Sequence, residues 1–247
     1  MNPQKIPEQH DQFTVELLEH VRSLEELFKL PDGFFLGVLN EGDDWSCIIK
    51  THALIESGTT RLLLEAVTAP SISTAFLETL PLTGGRHSKL ELLRLLGRLE
   101  SDHVKFIISL SRLRNLLVHN VSHVGFVLKD YLASLSLQDL HTFMNELCRI
   151  SYYSETFISE QEREKRRAAI LAEPKVHVWR TALLYLAMTS LRLDTVLEEQ
   201  RIEKAERQAF RLEAERARQI VQGLSNSGLE IYRQALKDRG AAQSNAT

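Results

Sequence analysis

Within 247 residues, one stretch carries reactive side chains at usable spacing: Arg112-Leu113-Arg114-Asn115-Leu116-Leu117-Val118-His119-Asn120. An apolar helical pattern is punctured there by guanidinium, amide and imidazole groups. Buried without partners, each such group costs on the order of 1–3 kcal/mol. They must therefore satisfy one another or face a cleft. Arginine can grip a phosphate bidentately and stabilise the added charge of a pentavalent transition state. An imidazole can move the proton of a ribose 2′-OH or of a departing 5′-oxygen near neutral pH. Arg114 and His119 lie about 140° apart on an ideal helix, whereas Asn115 and His119, four apart, share a face. Arg114 and His119 converge only if the helix ends between them, the arginine stem reaches round, or two copies meet across a two-fold axis. The plainer alternative has Arg114 and Asn115 capping a neighbouring helix while His119 ends this one.

Other sets of groups offer less. His119 and His123 have the spacing of a metal pair, but the intervening Asn120-Val121-Ser122 supplies no third ligand, and no metal or other cofactor is expected. Gly84-Gly85 precedes a helix and reads as a plain loop. No GxGxxG, GxxxxGK[ST], GxSxG or CxxC motif occurs. Cys47 and Cys148 are the sole cysteines, too few for a disulfide framework or a four-cysteine zinc site.

The elements that position these groups read as helices. Val15, Leu18, Val21, Leu24, Leu27 and Phe28 predict a helix over Phe13–Leu30, stopped by Pro31-Asp32-Gly33. Phe34–Leu39 fits a short strand or a helical connector. Asp43 or Asp44 caps a helix over Trp45–Val67, and Ser71–Leu80 is a short one. Ser88 caps Lys89–Leu99, and Glu100-Ser101-Asp102 opens the helix that carries the reactive stretch. Further helices are expected over Leu137–Ile150 and Ser159–Ala172. From Val176 the pattern runs to Gly223 and restarts toward Lys237. Its segment Glu198–Arg218 holds six acids and six bases in 21 residues, which suits a long exposed helix, a dimerising one or a partner-binding one. Ile202, Ala205, Ala209 and Leu212 keep an a/d rhythm there that Arg216 breaks.

The chain is 43% apolar and 26% charged, with 11 glycines and 6 prolines. That composition excludes a disordered chain and points to an all-α fold. The net charge of −3 excludes a polybasic nucleic-acid binder overall. Locally, residues 1–60 hold eleven acids against four bases, while 86–119 hold seven bases against three acids. An anionic ligand such as RNA would prefer the second strip, where Arg86, Arg94, Arg98 and Arg112 are candidate contacts. No long apolar run or signal segment is seen, so no membrane association and a cytoplasmic location are expected. The organisation expected is a flexible N-terminus over 1–12, a bundle over 13–150, a C-terminal helical extension over 151–238 partly packed on the bundle, and a disordered tail over 239–247.

Arg114-Asn115-x-x-x-His119 resembles the Arg-x(4–6)-His signature of the HEPN superfamily, including the polar residue after the arginine. Ala53-Leu54-Ile55-Glu56 leading into Arg61-Leu62-Leu63 is similar to that family's early helix. Ser88-Lys89-Leu90-Glu91-Leu92-Leu93-Arg94-Leu95-Leu96-Gly97 looks like the helix before its motif helix. The likeness covers about residues 45–150 and is strongest to the mannitol operon repressor branch. It implies a HEPN-like helical bundle flanked by an acidic first helix and a long charged last one, and a homodimer. It also implies a metal-independent ribonuclease, a toxin or defence effector, in which 2′-OH attack occurs in a composite site of two protomers. Arg114 would stabilise phosphate charge, His119 act as general acid or base, and Asn115 orient one of them. Glu56 and Lys89 would support the site, or simply pair between their helices. The alternative is a non-catalytic regulator of transcription, with a protein partner bound through residues 198–218.

Overall fold

The computed structural model describes residues 21–67, 73–119, 124–149 and 159–244. Every regular element among them is a helix. The expected flexible N-terminus and the first part of the acidic helix lie outside the described residues. The chain divides into two units, Met1–Val196 and Leu197–Thr247.

In the first unit, α1 covers residues 21–28. It stops where Lys29 takes a left-handed backbone (φ 55°) and the amide of Leu30 returns to the carbonyl of Glu25 at 2.8 Å. The buried Glu25 carboxylate then accepts from the amides of Gly33 and Phe35, both at 2.9 Å. Those are amides that no helical turn precedes, so the side chain starts α2 (Phe34–Leu39). The strand alternative for this segment is thereby excluded. The Asp43 carboxylate accepts from the Ser46 amide at 2.6 Å and caps α3 (Asp44–Ala66). Gly58 of α3 lets Phe28 and Leu186 approach, since a Cβ there would meet them at 3.1 and 3.4 Å.

Two shorter helices, α4 (Thr74–Thr79) and α5 (Lys89–Leu95), precede the reactive stretch. α5 ends four residues before the expected Leu99. Gly97 is left-handed (φ 66°) and the Arg98 amide returns to Leu93 O at 2.9 Å, which turns the chain out of the helix. α6 (Ser101–Val118) follows, then α7 (Leu128–Ser134) and α8 (Leu137–Leu147), the last capped by Ser136. α9 (Glu160–Ala172) is capped by Ser159. Pro174 then stands at the first position of α10 (Pro174–Ser244), where its missing N–H costs nothing.

α3 packs on α6 and α5, and α6 packs on α8. Ile48, Ile55, Leu62 and Leu63 of α3 and Phe106, Ile107 and Leu110 of α6 are all fully buried. The first turns of α10 join this core through Val178, Leu186 and Trp179, whose indole donates to Phe35 O at 3.0 Å. Burying such side chains is the dominant favourable term, roughly 1.5–3 kcal/mol for each. In the second unit, from Arg201 to Gly223, every residue is exposed except Ala214, which is half-buried. No helix among the described residues is long and apolar enough to cross a membrane.

Candidate functional site

α6 presents two polar faces to its surroundings. The flank toward α3 carries Ser111 and Arg114. There the buried His52 ring lies with Nε2 3.1 Å from Ser111 Oγ and Nδ1 3.9 Å from a Glu56 carboxylate oxygen. Burial holds the His52 pKa below the ordinary imidazole range; Glu56 opposes that shift, and the Arg114 guanidinium adds to it. The order Ser–His–Glu suggests a nucleophile relay. Ser111 is only 5% exposed, however, and sits mid-helix, where backbone amides are already used for helical bonds. With no oxyanion donors and no access, the trio is a satisfied polar seam between helices.

The outer face of α6 is different. Arg112 and His119, seven residues apart, lie on one helical face with Asn115 and Leu116, and all four are exposed. Among the described residues, no hydrogen bond or ion pair holds the side chain of Arg112 or of His119. His119 is the C-cap residue of α6, and its amide still donates to Asn115 O at 3.2 Å. The Trp45 indole donates to Leu117 O at 3.2 Å and so closes one of the last carbonyls of the helix. Arg114 starts on the α3 flank, but its Nη1 donates to Asn115 Oδ1 at 3.1 Å. The guanidinium thus reaches round toward the face that Asn115 shares with His119.

Beside this face is a cavity of about 370 Å³, lined by Ser109, Arg112, Leu116, Tyr131, Asp139 and Glu146 among others. Its acids are engaged: Glu146 accepts from Ser109, and Asp139 accepts from Ser136 Oγ at 2.6 Å.

The remaining expected residues are dispersed or neutralised. Arg94 makes a two-pronged ion pair with Glu91 at 2.9 and 2.7 Å. Asp102 on the same strip pairs with Lys105 at 3.3 Å and Arg149 at 2.6 Å. Arg86 is exposed in the loop before α5, and Arg98 is half-buried after it. Lys89 is 4% exposed at the first position of α5. The Glu56–Lys89 ion pair is not found among the described residues; Glu56 instead faces His52. No group of three metal-ligating side chains occurs among the described residues, and His123 lies outside them. Both cysteines are free and buried, and burial pushes the Cys47 thiol up to about 11 and Cys148 higher still.

Sequence reasoning overlooked His52 and Ser111. The signal that could have found them was the i, i+4 pair His52–Glu56 on a helix otherwise apolar on that side. No known family model matches the chain, and neither a curated protein nor a solved structure does.

Proposed function

We propose that residues 45–150 form a HEPN-like bundle in which the end of α6 supplies half of a metal-independent RNA endonuclease site, the other half coming from a second copy. The carrying observation is the Arg114–Asn115 hydrogen bond, which turns the guanidinium toward the face that ends in exposed His119. In this reading Arg114 binds a non-bridging phosphate oxygen and offsets its added charge. The ribose 2′-oxygen attacks the adjacent phosphorus as an imidazole takes its proton. The P–O5′ bond breaks, and the departing oxygen receives a proton from the imidazole of the other copy. The products are a 2′,3′-cyclic phosphate and a 5′-hydroxyl. Arg112, on the His119 face, would hold a flanking phosphate. A toxin or defence role would follow from such cleavage.

A second reading has its own support. Two bases of the strip, Arg94 and Lys105, are paired with Glu91 and Asp102, which weakens the pull on RNA and favours a non-catalytic regulator. Labelled RNA in EDTA separates the two. Cleavage by the wild type, lost in both His119→Ala and Arg114→Ala, supports the enzyme; RNA left intact at high protein concentration supports the regulator.

A further inference from the structure

The second unit leaves large apolar side chains in water: Phe210 is 72% exposed, Val221 66% and Ile231 71%. With Ala214, Ala217 and Gly228, and with Leu224 at its place in the sequence, they follow an unbroken 4-3-4-3 spacing from 210 to 231. This is the a/d seam of a coiled coil, with Phe210, Ala217, Leu224 and Ile231 at d and Ala214, Val221 and Gly228 at a. It differs from the shorter rhythm of Ile202, Ala205, Ala209 and Leu212, which lies on another face of the same helix.

The charges choose between these faces and name the occupant. In the longer register, Glu206 and Glu213 fall at successive g positions, and Arg211 and Arg218 fall at successive e positions. Each acid precedes its base by five residues, a separation that does not bring side chains together on one helix. Glu206 has no oppositely charged residue three or four positions away on its own helix. In a parallel, in-register pair, every g acid meets the e base of the next heptad on the other strand. An antiparallel pair would set acid against acid and base against base. In the shorter register the flanking positions are Arg201, Glu206, Gln208, Glu213 and Glu215; only Arg201 and Glu206 are complementary, and Arg201 already pairs with Glu198 on its own helix at 3.3 Å.

We infer that residues 206–231 form a parallel, in-register two-stranded coiled coil with a second copy of this chain. The inference stands independently of the nuclease reading, which concerns α6. Alanine and glycine at three of the seam positions make the contact thin, so the dimer should dissociate measurably on dilution.

The test uses the full chain. Ala217→Cys and Ala209→Cys are oxidised mildly in parallel; the native cysteines are buried and stay unreacted. The expected result is a disulfide-linked dimer for Ala217→Cys and little for Ala209→Cys. The charge-reversed pair Glu206→Lys/Glu213→Lys should dissociate at about tenfold higher concentration or more in sedimentation equilibrium. Mixing it with Arg211→Glu/Arg218→Glu should restore association. A chain monomeric at all concentrations overturns the inference. So does a dimer in which the Ala217→Cys variant fails to cross-link or charge reversal has no effect, and that outcome leaves a dimer built through α6 standing.

Discussion

The α3–α6 seam and the helix beyond Leu197 use the same materials, leucine, glutamate, arginine and a few rings, with opposite outcomes. In the seam, Ile55, Leu62, Phe106 and Leu110 exclude water, and His52, Ser111 and Glu56 answer one another within the chain. Beyond Leu197, Phe210 and Ile231 face solvent, and Glu206 has no oppositely charged residue three or four positions away on its own helix. Apolar period alone does not separate these cases. The spacing of charges adds a distinction: Glu91 and Arg94, three apart, pair on their own helix, whereas Glu206 and Arg211, five apart, do not face each other on theirs.

The sharpest way to break that contrast is to truncate one ring in each region. Phe106→Ala should cost about 3–5 kcal/mol in urea unfolding, while Phe210→Ala in dilute protein should cost under about 0.5 kcal/mol. Equal losses would show that Phe210 is buried within the monomer.

Next in size is a pH effect confined to the packed unit. Burial, aided by Arg192, holds the His103 pKa down to about 4, with its ring stacked on Tyr185 at 4.4 Å. The unfolded chain takes up this proton first, near pH 6.5. Stability is therefore full above that pH and falls as pH drops toward 4, by up to about 3 kcal/mol from this residue. Buried His52 shifts in the same direction. Urea midpoints at pH 7 and pH 4.5 should differ less in His103→Gln than in the wild type; an unchanged slope would contradict the assignment.

Two smaller effects complete the series. Glu25→Gln weakens the carboxylate that holds the Gly33 and Phe35 amides, and should cost about 1–2 kcal/mol of thermal stability. Arg192→Ala removes an exposed pair with Glu100 and should cost under about 1 kcal/mol. A larger loss in the second variant would mean that Arg192 is more than a surface partner.

Much of the packed unit is legible in the residues themselves. Asp43, Ser88 and Ser159 announce α3, α5 and α9, because short oxygen-bearing side chains satisfy first-turn amides. The pattern overextends α5 because Leu96 and Leu99 continue the apolar rhythm while Gly97 bends the backbone away. It misses α7, since seven residues give less than two full turns of pattern. Gly223 suggests a break in α10, yet a single glycine costs only about 1 kcal/mol and the helix passes through it. Of the candidate site, Asn115 and His119 can be read as one face from their spacing. The turn of Arg114 toward them, and the burial of His52 against Ser111, depend on which flank α3 covers, and local sequence does not encode that.

The central functional claim is that the α6 terminus directs a ribose hydroxyl onto its own phosphate. The most direct measurement is the fate of an RNA with a single 2′-deoxynucleotide at its cleavage position, incubated with the full chain in EDTA. The all-ribose strand should yield 2′,3′-cyclic phosphate ends, and the deoxy substitution should abolish cutting there. Equal cutting of both strands, or 3′-hydroxyl ends, would contradict it.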